Sequence, residues 1–226
     1  MYRRFRSTRG TSALAVVGGQ LCTDLVDLTS DLAALDSSGF WAVVIPFEGD
    51  PCCGRFANVR QARPWPGPSW HGPALGAWTS SLDRRRFEHA VGEIRSEIAA
   101  GDVYQVNLTR RMRAHLSRQG PAEGRTEEKT TSDIAALGAA LAEGNPAPYS
   151  AVVRIPEAGI EVASASPELF LARDGSRVWS SPIKGTAATP DGFLDKDRAE
   201  NVMIVDLVRN DLGRVCRPGS VEVVDF

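Results

Sequence analysis

Cysteine is scarce, long apolar runs are missing and neither sign of charge prevails in this 226-residue chain. Each shortage excludes something. The four cysteines, Cys22, Cys52, Cys53 and Cys216, include one adjacent pair but no C-x-x-C spacing, so a zinc knuckle is not expected. The thiols are expected to be reduced, some of them buried as small apolar groups. No apolar run approaches the ~20 residues of a membrane-crossing helix, so no membrane role is expected. Lys plus Arg total 26 against 28 Asp plus Glu, a net charge of -2, which gives no electrostatic footprint for nucleic acid. The adjacent Arg84, Arg85 and Arg86 read as a solvated first helical turn. The opening MYRRFRSTRG is basic, but the apolar stretch after it is too short and weak for a signal peptide, and a cytoplasmic location is expected.

What is present is ordinary globular material: 42% hydrophobic and 24% charged residues, enough for one sizeable core or two small ones. Residues 1–80 read as β-rich and irregular, with the apolar run from Phe40 to Ile45 as a buried strand. Four prolines and two glycines between residues 62 and 73 predict an irregular surface connection. Ser81 or Asp83 then caps a helix over 84–100, whose Phe87, Val91, Ile94 and Ile98 form one core-facing stripe, and Gly101 ends it. Val103 to Thr109 alternates as a strand, and 117–131 is a polar loop. Ile134, Leu137 and Leu141 mark a short helix ending near Gly144. Strands are expected around 149–155, 159–172 and 177–186, the last after the turn signal Asp174-Gly175. A helix over 196–212 and a final strand from Gly219 complete the reading.

Three segments carry candidate chemistry. Glu168, in Ser166-Pro167-Glu168, precedes apolar Leu169-Phe170-Leu171, and a carboxylate inside such a strand is costly unless it works or is paired. A glutamate at a strand end accounts for the pattern equally well. In Pro182-Ile183-Lys184-Gly185-Thr186, a buried lysine would be a nucleophile, with Gly185 admitting a ligand to the backbone and Thr186 offering a hydroxyl. A solvent-seeking lysine is the plainer alternative. Asp197 and Glu200 lie three apart on one helix face and suit Mg²⁺; they equally suit the positive end of the helix.

Taken together, the runs GDVYQVNLTRR at 101–111, SPELF at 166–170, PIKGT at 182–186 and KDRAENVMIVDLVRNDLGRVCRPGSVEV at 196–223 resemble the chorismate-binding family, in that family's order. The resemblance covers roughly residues 81–226. It implies an α+β fold, part of the anthranilate-synthase-like sandwich of two antiparallel sheets with outer helices. Residues 1–80 would be a variable N-terminal part and 81–226 the first half of the chorismate-binding domain. Family members run on by more than a hundred residues, so the chain is expected to be incomplete at the C-terminus and inactive alone. It is also expected to leave sheet edges and apolar surface open.

The resemblance also implies roles. Gln105 stands where water-adding members carry a lysine, so it resembles the ammonia-using members. Lys184 stands where anthranilate synthases usually carry alanine, and it is the mark of aminodeoxychorismate synthases. It would attack C2 of chorismate as the C4 hydroxyl leaves, before ammonia enters at C4, with Glu168 as the general acid/base. Gln105, Gly185 and Thr186 would bind substrate, and Glu200 with Asp197 would hold Mg²⁺ against the ring carboxylate. Pro148, Tyr149 and Ser150 resemble part of a tryptophan pocket. A glutamine amidotransferase subunit would supply the ammonia, for p-aminobenzoate and folate synthesis. The alternatives are an anthranilate synthase, which Lys184 argues against, and a non-catalytic module that binds an amidotransferase.

Overall fold

Strands that alternate small, apolar and polar residues build a six-stranded antiparallel sheet. The computed structural model describes residues 12–116, 130–131, 133–183 and 195–224, with residues 130, 131 and 195–198 described by backbone alone. The strands are β1 (Leu14–Val17), β2 (Gln20–Thr29), β3 (Phe40–Val44), β4 (Cys52–Gln61), β5 (Ser69–Trp70) and β6 (Thr79–Ser80). Helix α1 (Arg84–Ala100), β7 (Met112–Arg113), β8 (Thr130–Thr131) and α2 (Ile134–Gly144) follow. After them come β9 (Tyr149–Ile155), β10 (Ile160–Ser166), β11 (Leu169–Asp174), β12 (Arg177–Ser181) and α3 (Asp195–Gly213). No helix among the described residues is long and apolar enough to cross a membrane. The chain divides into two compact units, one formed by the residues up to Pro64 with those from Gly138 onward, the other by Trp65–Leu137.

In the first unit six strands pair in the order β10-β9-β1-β2-β4-β3, every pair antiparallel. A two-residue turn, Gly18-Gly19, joins β1 to β2 with φ of 57° and 74°. Both positions lie in the left-handed region that a tight hairpin of this twist requires, which is why two glycines stand there. On its other side β1 pairs with β9, from Leu14↔Arg154 to Val17↔Ala151. Arg154 is buried, and its Nε donates to the carbonyl of Ser12 at 3.0 Å, fastening the start of β1 to β9. One cluster of this sheet buries Ala13, Ala15, Cys22, Ala42, Cys52, Phe56, Val153 and Ile155. Most of these are small, and α2 lies close against β9. A Cβ on Gly138 of α2 would collide with Cγ2 of Val152 on β9.

In the second unit Asp83 caps α1, accepting from the Arg86 amide at 2.8 Å, and Gly101 closes it at φ 84°. Ser81 binds elsewhere: its Oγ accepts from the amide of Arg111 at 2.9 Å beside the β6–β7 pair. The helix forms as expected but its stripe does not reach a core. No residue of α1 is buried, and Phe87, Val91 and Ile98 are exposed. Periodicity selects the face and not the partner that covers it.

Residues 103–109, expected as a strand, form none, because they have no ladder partner among the described residues. The irregular 62–73 segment contributes Ser69–Trp70, which pairs in parallel with Thr130–Thr131; the rest of the expected 117–131 loop lies outside the described residues. The expected strand over 159–172 is two strands, β10 and β11, parted at Pro167, which has no N–H to donate to a ladder. Residues 219–224 form no strand.

Two measurements test this packing. Gly138→Ala gains about 1 kcal/mol of helix propensity but forces a methyl group into Val152, which costs about 1–3 kcal/mol. The melting temperature should therefore fall, and fall further for Gly138→Val; an unchanged or raised value for both would show that α2 stands off β9. Burial raises the thiol pKa of Cys22, Cys52 and Cys53, with Cys53 adding to the shift at Cys52 and Asp31 to that at Cys53. A folded-state thiol that holds its proton more tightly stabilises the fold below the free thiol value of ~8.5, and that contribution is lost as pH rises above it. A thiol reagent at pH 8 should modify half-buried Cys216 in the native protein and the three buried cysteines only after denaturation. Rapid modification of all four would contradict the burial.

Candidate active site

The hairpin β11–β12 turns at Asp174-Gly175 and pairs Asp174↔Arg177 at one end and Leu169↔Ser181 at the other. That register carries Glu168, just before β11, up to the residues that leave β12. Its Oε1 accepts from the backbone N–H of Ile183 at 3.3 Å. A small turn fixes the approach: the Ser166 hydroxyl donates to the carbonyl of Glu168 at 3.0 Å and accepts its amide at 3.3 Å. Sixteen residues of sequence thus close into a contact between Glu168 and the neighbour of Lys184. Lys184, Gly185 and Thr186 themselves lie outside the described residues.

Glu168 is exposed, which corrects the expectation of a carboxylate inside an apolar strand. The strand is broken at Pro167-Glu168, so the side chain leaves the sheet and carries no burial cost. Of the apolar residues that follow, Leu169 is half-buried while Phe170 and Leu171 are exposed, Phe170 at 88%.

Pro148, Tyr149 and Ser150 open β9 and are exposed; Tyr149 pairs with Ser166, two residues from Glu168. Gln105 belongs to the Trp65–Leu137 unit, where it is half-buried.

Helix α3 supplies the oxygen donors. Asp197 and Glu200 are one turn apart on it; Glu200 is exposed, and the side chain of Asp197 lies outside the described residues. Among the described residues no group of three or more His, Cys, Asp and Glu converges as a metal site. The structure adds a donor of a different type. Oδ1 of Asn201 is buried and accepts no hydrogen bond, a state that costs about 1–3 kcal/mol. Asn201 borders a groove of about 920 Å³ between β12 and α3, shared with Ser180, Ser181, Pro182, Val205 and Leu212. The exposed carboxylate of Glu200 is a hard-oxygen donor of the type that fits Mg²⁺ and its waters, but it does not line the groove that Asn201 borders. Asn201 was readable in the sequence as the position four after Asp197, yet an amide does not stand out among carboxylates.

The contact at Ile183 is testable by hydrogen exchange. Glu168→Ala removes the acceptor, and exchange of the Ile183 amide should accelerate several-fold, whereas Glu168→Gln keeps an oxygen there and should stay near the parent rate. Equal rates in all three proteins would mean that the carboxylate does not hold the strand end.

Comparison with known proteins adds the following. Residues 57–226 match a family described as chorismate binding enzyme. Anthranilate synthase component 1 1 of Haloarcula marismortui is 42% identical over 159 residues, covering 65% of this chain and 29% of that protein. Aminodeoxychorismate synthase component 1 of Escherichia coli is 37% identical over 161 residues, 66% of this chain and 32% of that one. The protein of the same name from Bacillus subtilis is 36% identical over 163 residues, 67% and 31%. The chain thus spans under a third of the length of these relatives. No solved structure matches it.

Proposed function

The chain belongs to the family of chorismate binding enzymes, and from that premise we propose that it serves an aminodeoxychorismate synthase, adding ammonia at C4 of chorismate to give 4-amino-4-deoxychorismate. The observation that carries the reading is the hydrogen bond from the Ile183 amide to Glu168, which sets an acid/base candidate beside the residue that precedes Lys184. In this reading the Lys184 amine attacks C2 of the ring, Glu168 delivers a proton to the C4 hydroxyl as it leaves as water, and ammonia then enters at C4 and expels the lysine. Attack needs the amine without its proton, a state that a dry pocket favours. Gly185 and Thr186 line the substrate, Gly185 by admitting it close to the backbone and Thr186 through its hydroxyl. Gln105 takes the place of a base that would activate water.

Glu200 and Asp197 would hold Mg²⁺, whose charge would offset that of the ring carboxylate. A glutamine amidotransferase subunit supplies ammonia, and p-aminobenzoate and folate lie downstream. The six-stranded sheet is one layer of a two-sheet sandwich, with residues 1–80 its variable part and 81–226 the first half of the chorismate-binding domain. Pro148, Tyr149 and Ser150 form part of a tryptophan pocket.

A second reading, anthranilate synthase, is favoured by the 42% identity to the Haloarcula protein of that name. Against it stands Lys184, where those enzymes usually carry alanine. Mass spectrometry of the full-length protein with chorismate distinguishes the two. A covalent adduct is expected on the peptide that contains Lys184, and Lys184→Ala should lose the adduct and slow turnover by about 10²-fold or more. Undiminished turnover in Lys184→Ala, or an adduct on a peptide without Lys184, would overturn the assignment.

A further inference from the structure

Helix α3 presents Val205, Val208 and Leu212 to the groove beside β12, at spacings of three and four that make one apolar stripe. The two other walls are extended chain. Every residue of β12, Arg177–Ser181, lines the groove, and so does every residue from Ser220 to Val224. A strand turns only alternate residues toward whatever lies on its face. Consecutive residues along a wall therefore mark the edge of the strand, where unpaired N–H and C=O groups stand. β12 is paired on one side, by β11, in a two-stranded sheet, and 220–224 joins no ladder among the described residues. The volume of about 920 Å³, spread along the ~17 Å of a five-residue strand, gives a section of ~55 Å², against the ~48 Å² that one strand fills between neighbours ~4.8 Å and sheets ~10 Å apart.

We propose that this groove is a docking slot for one β-strand, supplied by the part of the full-length protein that lies outside residues 1–226. The inference rests on the reading above that these residues are one part of a larger chorismate-binding domain, and it names where another part attaches. The relatives indicate the source of the strand: this chain covers between 29% and 32% of their length. A strand on the same polypeptide also docks without the entropic cost of bringing in a second molecule. Its main chain pairs with β12 on one side and with 220–224 on the other. Its side chains toward α3, at alternate positions, are apolar because they meet Val205, Val208 and Leu212. A hairpin of two strands is marginal by itself, and a third strand on β12 stabilises it. The same pairing holds the end of β12, from which the chain runs on to the contact between Ile183 and Glu168.

The test places a photocrosslinker in the slot of the full-length protein, at Trp179, an aromatic position that is 42% exposed. Trp179→p-benzoylphenylalanine, irradiated at low protein concentration and digested, should link to a peptide of the same molecule from outside residues 1–226. A crosslink confined to residues 1–226, a crosslinked dimer, or no crosslink in a variant that melts like the parent overturns the proposal. Hydrogen exchange in the unsubstituted full-length protein decides the matter if the variant does not fold. The amides of Val221–Val224 should exchange at least about 10²-fold more slowly than in an unstructured peptide, and exchange at the unstructured rate overturns the proposal. Product analysis of the unsubstituted protein separates this failure from that of the proposed reaction. The expected crosslink without 4-amino-4-deoxychorismate removes the reaction and keeps the slot; the product without the crosslink keeps the reaction and removes the slot.

Discussion

The pairing of β1 with β9 is the constraint on which the first unit depends. Residues 14–17 and 151–154 meet across most of the chain, and the buried Arg154 ties the junction to Ser12. Without that ladder, β1, β2, β4 and β3 would form a separate four-stranded sheet and β9 would have only β10 beside it. With it, six strands share one sheet and a core cluster that draws Ala15 and Cys22 from one end of the chain and Val153 and Ile155 from the other. Closing so long a loop is entropically expensive and slow, and small side chains packed at close range offset the cost.

From β10 the chain passes directly into the candidate site. Pro167 ends one strand and Glu168 precedes the next, so the carboxylate stands at a joint between two ladders. The hairpin then returns the chain to that joint at Ile183. On α3, positions 197 and 200 stand about one turn apart. The reaction proposed for the site needs an acid, an amine and a cation near one small ring. The hairpin brings the acid candidate, Glu168, to Ile183 at its open end; the amine proposed for Lys184 lies outside the described residues.

The sequence was most legible where structure is decided locally. Asp83 and Gly101 bound α1 at both ends as their cap chemistry requires, and Asp174-Gly175 closes the hairpin it signals. Strand patterns were less informative, because alternation shows that a segment tolerates a sheet and says nothing of a partner. Residues 103–109 and 219–224 read as strands and form none among the described residues, and Pro167 cuts a run that hydrophobicity alone would join. The role of small residues was illegible for a related reason: that Gly138 admits Val152 is a property of two elements together. Within the site, the quoted motifs pointed to Glu168 and Glu200 by charge, while the unsatisfied carbonyl of Asn201 and the mooring of Glu168 by Ser166 emerge only from coordinates.

Relatives of similar identity carry two different names, so overall similarity does not separate the chemistries, and the proposal turns on a single side chain in PIKGT, Lys184. The most direct measurement of the central claim is the identity of the product. The full-length protein, supplied with chorismate, an ammonium salt and Mg²⁺, would be followed by chromatography coupled to mass spectrometry and by fluorescence. The account predicts 4-amino-4-deoxychorismate with the enolpyruvyl side chain intact and no fluorescent product. Accumulation of anthranilate, fluorescent and accompanied by pyruvate, would contradict it.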